Sequence, residues 1–172
     1  MKKSMKNKGF SLVELIVVIA IMGVMSAVGG YALTAISSAN AKECAKELEA
    51  GLISTRTQSY SSDSADSIAT VTFTKKSDGI YMKKSFESEE KKIGGSKVSL
   101  SYGYEDGETH VITYTELTDK PITFSFNRSS GAFRSMKVDG TSANMCDAIR
   151  VTSGHKTYTI TCYEQTGKTM LE

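Results

Sequence analysis

Residue types that could do chemistry are sparse in this 172-residue chain, which has three cysteines (Cys44, Cys146, Cys162) and two histidines (His110, His155). No C-x-x-C spacing joins the cysteines, and neither histidine has a cysteine, aspartate or second histidine at ligand spacing, so no zinc site is indicated. Asp63 and Asp66 lack the spacing of a calcium loop and read as a solvated turn. There is no G-x-S-x-G, no glycine-rich phosphate loop and no carboxylate pair in an apolar setting. The chain is therefore expected to have no catalytic residue, metal or cofactor. What remains is one compact string, Lys8-Gly9-Phe10-Ser11-Leu12-Val13-Glu14-Leu15, whose single carboxylate stands at the mouth of a long apolar run.

That run is uncharged from Leu15 through Ala41. A helix needs about 20 apolar residues to cross the hydrocarbon core, so this one is long enough. The overall mean hydropathy of −0.22 averages this stretch with a polar remainder. The net charge of +2 is equally uneven. Lys2, Lys3, Lys6 and Lys8 precede Gly9 without an acidic residue, and the rest of the chain sums to −2. Such a leader predicts that Met1–Gly9 stays cytoplasmic while the polar part is exported, and it removes the basic pI as an argument for nucleic-acid binding. A secretory signal peptide would offer Ala39-Asn40-Ala41 for cleavage, but the apolar run is about twice the length such a peptide uses. A plain signal anchor would leave the cost of Glu14 unexplained.

The string from Lys8 to Leu15 resembles the prepilin cleavage and methylation motif of type IV pilins and of the pseudopilins of secretion and competence systems. In that family a basic leader ends in glycine, matched by Gly9. The mature chain begins with phenylalanine, matched by Phe10, and its fifth residue is glutamate, matched by Glu14. The resemblance implies a prepilin peptidase that cuts between Gly9 and Phe10, followed by N-methylation of Phe10. It also implies assembly in which Glu14 pairs with the Phe10 amine of a neighbouring subunit. The proline that many members carry about 17 residues after the glutamate is replaced here by Tyr31, with Gly23, Gly29 and Gly30 in that part of the helix. The glycines are either a site of local melting or an aid to close packing.

Beyond Ala41 the helical pattern continues as an amphipathic stripe: Ala41, Cys44, Ala45, Leu48, Leu52 and Ile53 recur at steps of three and four. Lys42, Glu43, Lys46, Glu47 and Glu49 fall on the other face, with Glu43 and Lys46 placed to pair. One helix of roughly 70 Å is predicted, at 1.5 Å per residue. From Ile68 onward about eight short runs alternate and are separated by turn residues such as Asp78-Gly79, Asp106-Gly107 and Asp139-Gly140, as in an antiparallel sheet or a pair of sheets. The expected fold is α+β, with a long N-terminal helix packed on an antiparallel β-sheet head. Its parts are a leader at 1–9, a stem helix at 10–57 that spans a membrane over about 10–36, a serine-rich loop at 58–67 and a β-rich head at 68–172.

The family resemblance makes the chain a structural subunit of a type IV pilus or pseudopilus, a single-pass membrane protein whose exported head ends in an extracellular or periplasmic filament. Its partners would be the prepilin peptidase, other pilin subunits, an assembly platform in the inner or cytoplasmic membrane, and membrane lipid. The alternative is a minor pilin or membrane-tethered module that binds DNA or a surface. Lys75, Lys76, Lys83, Lys84, Lys91, Lys92 and Lys97 crowd one stretch around Tyr81, but Glu87, Glu89 and Glu90 dilute them, so nucleic acid is possible and unsupported. Cys146–Cys162 resembles the loop-closing bridge near the C-terminus of many pilins. A Cys44–Cys162 bridge and three free buried thiols are the other readings.

Overall fold

The computed structural model describes residues 10–61 and 68–172, and of residues 27–37 it describes the backbone alone. The chain divides into two compact units, Met1–Ile36 and Ser37–Glu172. A single helix, α1 (Leu12–Tyr60), contributes to both and passes through Gly29 and Gly30. In the first unit its described side chains are apolar on every side. Leu12, Val13, Leu15, Ile16, Val17, Val18, Ile19, Ile21, Met22, Val24 and Met25 are all exposed. A helix with no polar face has nothing to turn toward water. Side chains are described for only part of the expected membrane span at 10–36, and among the described residues no helix is long and apolar enough to cross a membrane.

The second unit is α+β, with two antiparallel sheets. Its strands are β1 (Thr70–Lys76), β2 (Gly79–Lys84), β3 (Lys91–Gly95), β4 (Ser99–Glu105), β5 (Ile112–Glu116), β6 (Ile122–Phe126), β7 (Phe133–Val138), β8 (Thr141–Ala143), β9 (Ala148–Ser153), β10 (Lys156–Tyr163) and β11 (Lys168–Leu171). The first sheet has the order β3-β2-β1-β6-β7-β8 and the second β11-β10-β9-β4-β5. In the first, register lines up Met82, Phe73, Ile122 and Val138 in one row. In the second it lines up Tyr102, Ile149, Ile160 and Leu171. Side chains alternate between faces along a strand, so each row marks one buried face.

Ala41, Cys44, Ala45, Leu48 and Leu52 of α1 are buried, whereas Ile53 is 47% exposed and drops out of the predicted stripe. The helix lies on the first sheet. Cys44 packs where Gly94 of β3 leaves room, Gly51 meets Met82 of β2, and Glu47 pairs with Lys91 at 2.7 Å. The expected Glu43–Lys46 pair is not among the ion pairs of the described residues. The C-terminal turn of α1 is pinned by the Tyr60 hydroxyl, which donates to the Ser130 carbonyl at 2.9 Å, and by Arg56 Nε, which donates to that of Gly131 at 3.3 Å. Gly131 has φ 65° and Gly167 φ 64°, and a side chain on either would collide with its surroundings. Only glycine meets both demands cheaply.

Three strands and one helical turn depart from the expectation. Gln58–Tyr60 belong to α1 rather than to the serine-rich loop, and residues 62–67 of that loop lie outside the described residues. β3, β8 and β11 were not foreseen. β3 buries only Ile93 and Gly94 among lysines, and β8 has three residues, so neither carries the alternation that marks a strand. Because Leu48 is fully buried between helix and sheet, Leu48→Ala should destabilise the detergent-solubilised chain by about 2–5 kcal/mol in denaturant unfolding. Ile53→Ala should stay within about 0.5 kcal/mol.

Candidate functional site

At the start of α1, Phe10 lies just outside the helix and is 88% exposed. Ser11 is the turning point. Its carbonyl accepts the first helical bond, from the Leu15 N–H at 3.2 Å. Its hydroxyl accepts the Glu14 N–H at 3.2 Å, and its own N–H donates to Glu14 Oε2 at 2.9 Å. This reciprocal pair is a capping box, which satisfies two N–H groups that the helix start would otherwise leave unpaired. The Ser11-Leu12-Val13-Glu14 spacing was visible in the sequence but was read there only for its glutamate. Glu14 is thus not a lone carboxylate in this chain, because Ser11 holds it. Gly9 lies outside the described residues.

The three thiols are free and buried. Burial, with Glu43 and Glu47 nearby, pushes the Cys44 thiol up to about 12. The neighbouring Cys162 thiol, together with burial, raises the Cys146 thiol, while the Cys162 thiol itself donates to the Ile160 carbonyl at 3.9 Å. The local backbone explains their proximity: the Cys162 N–H donates to the Asp147 carbonyl at 2.7 Å, at the end of the β9–β10 ladder. Across the helix–sheet contact Cys44 instead faces Gly94 of β3.

The lysine stretch is largely paired. Lys75 meets Glu116 at 3.0 Å, Lys84 meets Glu87 at 2.9 Å, Lys92 meets Asp78 at 2.8 Å, Lys91 is held by Glu47, and Lys76 by Glu90. Lys83 and Lys97 make no ion pair among the described residues. Lys76 Nζ stands 4.5 Å from the centre of the Tyr81 ring, and the Tyr81 hydroxyl donates to Asp78 Oδ2 at 2.6 Å. Hydrogen bonds from Lys92 and Tyr81 hold the Asp78 carboxyl at about 2. Exposed pairs of this kind add little stability, but they lower the positive potential a polyanion would meet.

His110 also has a partner that sequence spacing did not reveal, with its Nδ1 2.6 Å from Glu105 Oε1 across the β4–β5 turn. Asp106 is occupied within the same turn by the Glu108 N–H and the Thr109 hydroxyl. Among the described residues no group of three or more histidines, cysteines, aspartates or glutamates is placed to hold a metal ion.

An apolar helix that begins at a capped Ser11, joined to an α+β unit of antiparallel sheets, is the class of molecule that these features define. Residues 4–30 match the family model of the prokaryotic N-terminal methylation motif, and the chain thus carries the leader motif of type IV pilins and pseudopilins. No curated protein and no solved structure matches the chain.

Proposed function

We propose that the chain is the precursor of a structural subunit of a type IV pilus or related pseudopilus. The observation that carries this reading is the methylation-motif match at residues 4–30, which falls on the start of a helix apolar all round. On this reading α1 holds the precursor in the membrane over about residues 10–36. The four leader lysines keep Met1–Gly9 cytoplasmic, and the head is exported. A prepilin peptidase removes the leader between Gly9 and Phe10, Phe10 is N-methylated, and subunits assemble through their N-terminal helices. The paired lysines favour a structural subunit over a DNA-binding module. The role is that of an enzyme's substrate rather than of an enzyme.

Mass spectrometry of the processed chain should show it beginning at Phe10 with a methyl group added. A chain beginning at Lys42 would mean secretory cleavage and would overturn the reading. Replacing Gly9 with a bulky residue should leave the uncut precursor in the membrane.

Glu14 is proposed to pair with the Phe10 amine of a neighbouring subunit, because a carboxylate at the edge of an apolar span needs a partner and cleavage creates that cation. Glu14→Ala should insert and be cut largely as the parent is, yet fail to enter filaments. Normal incorporation, scored by microscopy and immunoblot of sheared filaments, would rule the pairing out.

Cys146 and Cys162 are proposed to form a disulfide once an extracellular disulfide donor is available. The bridge would enclose 15 residues. A loop of that size is worth about 3 kcal/mol in the chain-entropy picture. A non-reducing peptide map of the exported chain should contain the Cys146–Cys162 cross-linked peptide. Alkylation of all three thiols after denaturation without reductant would exclude it.

A further inference from the structure

The capping box fixes where α1 begins. With its hydroxyl bound to the Glu14 N–H and its carbonyl bound to the Leu15 N–H, Ser11 occupies the boundary position, and Leu12 is the first helical residue. A boundary residue of this kind has non-helical backbone angles, so the helix does not continue into Phe10. Phe10 is accordingly outside α1 and open to solvent. The amide that Phe10 shares with Gly9 is the bond the processing reading has cut. Peptidase clefts bind their substrates extended, and a bond wound into a helix is a poor substrate. The apolar residues of α1 do not themselves define an end, since a helix gains one bond for each residue it adds.

We propose that Ser11 is a positioning residue for leader removal: its capping box stops α1 at Leu12 and so presents the Gly9–Phe10 amide outside the helix. This inference rests on the processing reading given above. In the step that follows, water adds across that amide. The Gly9 carbonyl carbon takes the hydroxyl and becomes a carboxylate, and the Phe10 nitrogen keeps the electron pair of the broken bond and becomes an ammonium. Ser11 touches neither reacting atom and acts only through the backbone. Two further features favour the same stop. Gly9 is a poor residue to wind into a helix, and Lys6 and Lys8 would oppose the positive end of the helix dipole if α1 grew upstream. The Ser11 hydroxyl bond is to the main chain of residue 14, so it does not depend on the side chain there.

The experiment uses the full-length chain inserted in membrane vesicles with a prepilin peptidase, and follows release of the Met1–Gly9 peptide over time. Only membrane-inserted, alkali-resistant precursor is counted. Ser11→Ala removes the cap, and its initial rate of cleavage should fall on the order of threefold to tenfold, the range an N-cap is worth. Ser11→Asn and Ser11→Asp differ from serine in shape but cap as well, and they should recover most of the parent rate. Cleavage of Ser11→Ala at the parent rate would overturn the proposal. Asn and Asp variants as slow as Ala would also overturn it, because the peptidase would then be reading the serine itself. If the parent is not cut at Gly9–Phe10 at all, the processing reading fails first, and the proposal with it.

Discussion

Ala41, Cys44, Ala45, Leu48 and Leu52 make a buried stripe along α1, and the head is arranged to keep water from it. Two of the five are alanine and one is cysteine, so the helix backbone can lie close to the first sheet. The sheet answers with small residues of its own. Gly94 stands opposite Cys44, and at Gly51 of the helix the close approach is reversed, with Met82 of the sheet filling the gap. The same buried cluster takes in Phe73, Phe124 and Met136 of the first sheet and Leu100, Ile149, Val151 and Ile160 of the second. The hydrophobic gain scales with the apolar area removed from water, and a single sheet has only one face to offer the helix. A second sheet lets that core grow beyond what one helix could cover.

Pinning the helix end makes this packing specific rather than merely apolar. Tyr60 and Arg56 both bind the main chain of the turn at Ser130–Gly131, and that turn packs against Gly167 before β11. The last turn of α1 and two turns of the β region are thus fixed together at one point. A sliding of the helix along the sheet would break two hydrogen bonds and drive side chains into glycine positions. Close-packed interiors transmit such misfits instead of absorbing them.

The sequence made the helix stripe legible because period 3.6 survives over several turns, and it made β1, β4 and β6 legible because Val71–Phe73, Leu100–Tyr102–Tyr104 and Ile122–Phe124–Phe126 alternate strictly. It hid β3 because a strand at a sheet edge can satisfy its neighbour through main-chain bonds while its side chains read as a charged loop. β11 was hidden in the same way, since its inward residues are only Thr169 and Leu171. The ion pairs were hidden for another reason. Lys75–Glu116 and Lys91–Glu47 join residues far apart in sequence, so weighing the lysines only against Glu87, Glu89 and Glu90 missed two of their partners. At the N-terminus the glycine, the phenylalanine and the glutamate were all legible as a string. That Glu14 already has a partner on Ser11 required the geometry.

That partner changes how charge at the N-terminus is to be understood under the proposed processing. The first turn of a helix concentrates positive partial charge, so an anion there is favoured and a cation opposed. In the uncut chain Glu14 supplies the anion and its carboxylate is bonded at 2.9 Å to the Ser11 N–H. Cleavage then places an ammonium on Phe10, at the end of the helix where the dipole opposes a cation. The new charge and the Ser11 N–H compete for one carboxylate. A neighbouring subunit relieves the competition only if the carboxylate it meets is free to turn outward, and the second bond of the box allows this. The Ser11 hydroxyl keeps hold of the Glu14 main chain, so the helix start stays capped while the side chain changes partners. The two bonds of one capping box thus divide the work, one holding the helix and the other holding a charge that assembly can claim.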